Sequence, residues 1–145
     1  DDVTFLMLTS VYSESFAQAV SNSAAGVYVP AEFYPFTEDS DVNADWKALM
    51  EENGITLTSF SQGGYLAATF MVEVLESIEG DITRESVNEA LANMDPIDNP
   101  MIAYPYQFDK IAAQDYEPGG WPVTLKSGTN AWEKAADDWL MIPAN

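Results

Sequence analysis

The chain has 145 residues, in which 24 carboxylates face only 5 Lys and Arg, giving a net charge of −19. Such a field repels nucleic-acid phosphates and anionic membrane surfaces, so neither is a fitting partner. Without histidine or cysteine, the chain has no Ser-His-Asp triad, histidine base, thiolate zinc site, cysteine nucleophile or disulfide. An apolar fraction of 47% is nonetheless enough for one packed domain. The acidity itself fits a solubility role, as in a salty habitat where counterions screen self-repulsion, with a cationic partner as the alternative.

In chain order, VTFLML at residues 3–8 is apolar without alternation, which predicts a strand covered on both faces. The run is too short and too acidic in front to be a signal peptide, so any leader would already have been removed. Ser13 is placed to cap a following helix with Phe16, Ala17, Ala19 and Val20 on its apolar face, and Gly26 to follow its end. VYVPAEFYPF at residues 27–36 starts as a strand, and Pro30 and Pro35 predict that it becomes a non-central crossover. A helix over residues 44–53 closes at Gly54. The longest helix candidate lies within residues 59–80, with Tyr65, Ala68, Met71, Val72, Leu75 and Ile78 as its apolar stripe. Thr83 then caps TRESVNEALANM, with Glu85 in its first turn. From Asp95 the sequence is rich in Pro, Gly and aromatics, predicting short strands and turns, and Thr129 is placed to cap a last helix through residue 140. The order βαβ, helices, irregular β and a final helix is α/β.

Catalytic signatures are absent: no GxSxG, P-loop or GxGxxG occurs. Gly63-Gly64 is better explained as a closely packed helix start than as a phosphate cradle, since no lysine follows. Asp39, Asp41, Asn43 and Asp45 alternate as in a calcium loop, but Ala44 stands where glycine is needed and Met50 where glutamate is needed. A solvated loop leading into the next helix is the better account, and no metal or other cofactor is expected. An acidic hydrolase could use a pair such as Asp137-Asp138, yet with 24 acidic residues adjacent pairs arise without a catalytic role.

The remaining signal is the end of the first strand. Ligands of open α/β sheets sit beyond the carboxyl ends of strands, near helix N-termini. Thr9, Ser10, Tyr12 and Ser13 occupy that place. Their hydroxyls can orient a polar head group and the Tyr12 ring can cover an apolar portion. A plain helix cap in which only Ser13 matters explains the same residues. Phe33, Tyr34, Phe36, Tyr104 and Tyr106 either complete a wall or belong to the core.

The succession TFLMLTSVYSESFAQAVSNSAAGVYVPAEFYPF, SFSQGGYLAATFMVEVLESIEGDITRESVNEAL and NPMIAYPYQFD resembles the C-terminal portion of type I periplasmic solute-binding proteins of ABC importers, the branched-chain amino-acid-binding family. The resemblance implies a type I periplasmic-binding-protein-like fold of two doubly wound parallel-sheet lobes, of which only the C-terminal part is present. Residues 1–36 would be strand, helix and strand of the C-terminal lobe with its crossover. Residues 37–94 would carry helices packed on the N-terminal lobe. Residues 95–145 would return to the C-terminal lobe and end in a helix, with residues 120–145 exceeding the family's usual ending.

In that family the turn after the first strand commonly contacts ligand, and an acid there can pair with an ammonium. Here the position is Thr9, which makes a carboxylate, amide or aromatic acid as fitting a ligand as an amino acid. The implied site is Thr9, Ser10, Tyr12, Ser13 and Tyr34. The implied partners are a small solute, the importer's membrane subunits, and either a missing N-terminal half or a second copy on the exposed lobe faces. The implied place is the periplasm or the cell exterior, with lipid anchoring through a preceding N-terminus as one arrangement. The alternative is a ligand-binding sensory domain of a receptor with the same fold; neither reading is an enzyme.

Overall fold

The computed structural model describes residues 3–108 and 119–141. Its helices are α1 (Glu14–Val20), α2 (Ala44–Glu52), α3 (Ser59–Glu76) and α4 (Arg84–Asn93), and its strands are β1 (Tyr28–Ala31), β2 (Gly119–Leu125), β3 (Trp132–Lys134) and β4 (Leu140–Met141).

The helices begin where hydroxyl side chains satisfy backbone donors. At α3, Thr58 Oγ1 accepts from the Ser61 N–H at 3.1 Å, while Ser61 Oγ accepts from the Thr58 N–H at 3.1 Å. Thr83 and Ser86 form the same reciprocal box at α4. Each box satisfies two N–H groups that a helix start otherwise leaves unpaired. The α2 helix ends at Gly54, whose φ of 64° lies in the left-handed region that glycine enters without steric cost. Replacing the half-buried Thr58 by alanine is expected to lower stability by about 1 kcal/mol, read as a reduced thermal midpoint that Thr58→Ser largely restores.

β2 is the centre of the sheet among the described residues. β1 pairs with it antiparallel in the register Tyr28↔Thr124 to Ala31↔Trp121, and β3 and β4 pair along its other side. Beyond β1, the first apolar run contributes one parallel bridge at Leu6. The Tyr28 N–H donates to Phe5 O at 2.9 Å and the Met7 N–H to Tyr28 O at 2.8 Å. The run thus starts as a strand, inner over Tyr28–Ala31 with Pro30 inside the sheet, and residues 32–36 then leave the sheet. Pro30 and Pro122 face each other in register. The Leu125 N–H bonds Val27 O, so alternation makes the proline pair a non-hydrogen-bonded one, where no ladder N–H is needed.

One face of this sheet closes on the core. Val29, Ala31, Trp121, Val123 and Leu125 are buried there with Phe36, Trp46, Leu66 and Phe70. The first run departs from the sequence expectation of a strand covered on both faces. Among the described residues it has no strand on its outer side, and Leu6 and Leu8 are 73% and 77% exposed.

Two further expectations are corrected. The α3 stripe is rotated: Ser59, Gln62, Leu66, Phe70 and Val74 are buried, whereas Met71 and Val72 face outward. α3 is apolar around most of its girth, so periodicity could not select the face. Secondly, no helix forms between residues 129 and 140. Thr129 instead lies in the turn of a hairpin whose Lys126 N–H bonds Ala131 O, because alternation of Trp121, Val123 and Leu125 sets a strand that Trp132 continues on its neighbour. The strand-and-turn expectation at residues 109–118 lies outside the described residues. No helix among the described residues is long and apolar enough to cross a membrane.

Candidate functional site

The turn after the first strand is tied to α3 before any ligand is considered. Ser59 Oγ donates to Thr9 O at 3.1 Å, and Ser13 bridges Thr58. Ser13 Oγ accepts from the Phe16 N–H at 3.2 Å, so it caps α1, and its carbonyl accepts from Trp132 Nε1 at 2.8 Å. Ser13 thus acts as the cap that the simpler sequence account describes.

Tyr12 is core. It is 1% exposed, stacks on Phe36 with ring centroids 4.1 Å apart, and meets Trp132 edge-on at 5.3 Å. Its ring packs into the core against Phe36 and Trp132 and lines neither cavity described below, so it is not placed to cover a ligand as the sequence predicts. Burial pushes its phenol up from 10.0 to about 12, against hydrogen bonds from Thr37 and Phe36 that pull it down.

Tyr34 is also engaged in the scaffold. Its ring meets Trp121 edge-on at 5.0 Å, its N–H donates to Met101 O at 2.9 Å, and its carbonyl accepts from Gln62 Nε2 at 2.8 Å. Gln62 Nε2 also donates to Asn43 Oδ1 at 3.3 Å, and Asn43 Nδ2 donates to Pro35 O at 2.9 Å. These buried amides fasten the segment at residues 34–35 to α3 and to the start of α2. Asn43 is thereby committed to structure. The alternating acids around it form no cluster able to hold a metal among the described residues. Gly63 likewise packs, its α-carbon so close to Phe33 that an added Cβ would lie 3.3 Å from the ring.

Thr9 and Ser10 do line a cavity. It measures about 900 Å³ and runs along the open sheet face past Leu8, Tyr28, Pro30 and Glu32. Thr9 Oγ1 is buried with no hydrogen-bond partner among the described residues, whereas Ser10 is exposed. A second cavity of about 580 Å³ lies between α3 and the turn at residues 102–106, walled by Phe33, Phe70, Tyr104 and Tyr106. Phe36, the other aromatic considered for a wall, is core. Glu32 and Gly119 border both cavities. The site contribution of β2 was missed in the sequence, where Trp121, Val123 and Leu125 were its signal.

The model of the periplasmic binding protein family matches residues 1–118. This chain belongs to that family. No curated protein matches the sequence. Among solved structures, the periplasmic binding protein chain is similar to one described as a possible leucine/isoleucine/valine-binding protein from Rhodopirellula baltica SH 1, with a TM-score of 0.70 and 19% identity. The match covers 93% of this chain and 36% of that one, so the chain spans about a third of the length of its structural relative. Its architecture is a partial type I periplasmic-binding-protein fold. The family resemblance read from the sequence is met at this level.

Proposed function

We propose that this chain is the C-terminal part of an extracytoplasmic solute-binding protein that captures a small molecule between two lobes and delivers it to an ABC importer. The observation that carries the reading is the cavity bordered by Thr9, Ser10 and Glu32 in a chain of this family. It lies where the parallel pair formed by the first run and β1 ends, the usual ligand position of such sheets. The solute is an amino acid, an amide or an aromatic acid, small enough for a cavity of this size. The structural relative, described as a possible binder of leucine, isoleucine or valine, favours the first of these.

In this reading residues 1–36 and 95–145 form the C-terminal-lobe part, and residues 37–94 carry helices that pack on the N-terminal lobe. Pairing of β1 with β2 supports the first grouping. The outward apolar side of α3, where Phe60 is 71% exposed, supports the second. Binding shifts a population of open lobes toward closed ones, with no bond made or broken. A sensory receptor domain of the same fold is the alternative and would use the same cavity.

Mass spectrometry of small molecules released from the full-length protein, followed by a thermal-shift panel of amino acids, amides and aromatic acids, tests the proposal. A co-purifying member of these classes that raises the thermal midpoint is expected. A panel that leaves the midpoint unmoved throughout would sink it.

A further inference from the structure

The turn that borders the solute cavity is held from a distant part of the chain. Thr9–Val11 forms a single 3-10 turn, in which Thr9 O accepts from the Tyr12 N–H at 2.9 Å. The same carbonyl accepts from Ser59 Oγ at 3.1 Å, a bond between residues 50 positions apart. Ser59 is the first residue of α3 and is 4% exposed. Just past the turn, Ser13 meets Thr58 in an antiparallel bridge made by the backbone. The turn is thus fastened to the start of α3 at both of its ends.

The Ser59 hydroxyl is not needed to begin the helix. Thr58 and Ser61 form the capping box between them, and the bond from Ser59 goes to the turn instead. Burying a hydroxyl is unfavourable unless it is hydrogen-bonded, so pairing with Thr9 O is what suits a serine to this buried position. A single 3-10 turn has few bonds of its own, and a second donor on its first carbonyl fixes the plane of that peptide. The planar Thr9–Ser10 peptide joins the α-carbons of two residues that both line the cavity. A tilt of that plane would therefore move both side chains.

We infer that Ser59 is a positioning residue of the solute site, fixing the Thr9–Ser10 peptide and with it the two hydroxyl residues that border the cavity. Ser59 itself does not line that cavity, so it acts through Thr9 and not by contact with solute. The inference rests on the solute-binding reading. Its physical basis is preorganisation: side chains held in place before the solute arrives need not be ordered by it, and the ordering cost is removed from the binding free energy.

The test is calorimetric titration of the full-length protein with the twenty amino acids, acetamide and benzoate. The proteins compared are wild type, Ser59→Ala, Ser59→Thr, Thr9→Val and the double variant of Ser59→Ala with Thr9→Val. Thr58→Ala is the control, since it weakens the same helix start while leaving the Ser59 hydroxyl in place. Ser59→Ala should bind the solute that wild type binds about three- to tenfold more weakly. Ser59→Thr, which keeps the donor, should recover most of that loss, and Thr58→Ala should bind as wild type does. In the Thr9→Val background Ser59→Ala should cost much less, because the hydroxyl it positions is gone; a serine that only supports the fold would cost the same in both backgrounds. Wild-type affinity in Ser59→Ala, an equal loss in Thr58→Ala, or a loss undiminished by Thr9→Val overturns the positioning role while leaving solute binding intact. No binding of any panel member by wild type overturns both.

Discussion

Tyr12→Ala is expected to destabilise the fold by about 3–5 kcal/mol, the range for removing a fully buried aromatic ring. The ring is held by stacking on Phe36 and by the edge of Trp132, and its removal would leave a void between α1, the crossover and β3. Chemical denaturation measures the loss. Tyr12→Phe keeps the packing and removes the hydroxyl that contacts Thr37 Oγ1 at 3.3 Å, so it should cost only about 0.5–1.5 kcal/mol. In the full-length protein Tyr12→Phe should bind solute as wild type does, since the hydroxyl faces Thr37 and not a cavity.

The same residue sets a pH dependence. Its phenol titrates at about 12 in the fold against 10.0 for an unburied tyrosine, principally because burial disfavours the phenolate. Between these values the folded state holds a proton that the unfolded state has released, so stability falls as pH rises. The contribution is complete below pH 10 and is lost through pH 12, amounting to about 2.5 kcal/mol. Stability measured from pH 9 to 12 should therefore decline more steeply in wild type than in Tyr12→Phe. Parallel declines would show that Tyr12 does not contribute this dependence.

The second large effect is expected at Gln62, wholly buried on α3. Its amide nitrogen serves Tyr34 O and Asn43 Oδ1 together, joining the segment at residues 34–35 to two helices through one side chain. Gln62→Leu fills a similar volume but strands both acceptors away from water, at about 1–3 kcal/mol each. The native Gln62 Oε1 is itself buried with no partner among the described residues, and removing it offsets part of this, leaving a net loss of about 2–3 kcal/mol. Denaturant unfolding of Gln62→Leu against the exposed substitution Gln18→Leu measures it. Equal midpoints would show that the amide link does not hold the segment at residues 34–35.

Elements with local chemical signals were legible in the sequence. Thr83 followed by SER-type polar residues marked α4, and Gly54 marked the end of α2, because caps and left-handed turns are decided within a few residues. The face of α3 was not legible, since apolar residues surround it and tertiary packing chose the stripe through Gln62 and Phe70. Residues 129–140 failed for the opposite reason. Their helix-favouring alanines and acids were overridden by strand pairing with β2, a long-range contact that propensity does not register. Thr9 and Ser10, picked from the strand-to-helix position alone, line a cavity. Tyr12 and Tyr34 were included for their chemistry, but their burial depends on Trp121 and Trp132, more than 80 residues further along the chain. Glu32 gave no pattern in the sequence. Only the meeting of β1 with Gly119 and Gly120 brings it to the ridge between two cavities.

The most direct measurement is equilibrium dialysis of the full-length protein against radiolabelled amino acids, with chemical recovery of the bound solute. The account predicts one saturable site per chain and release of the solute unchanged after prolonged incubation. Recovery of a reaction product, or no saturable binding of any amino acid, amide or aromatic acid, would contradict it.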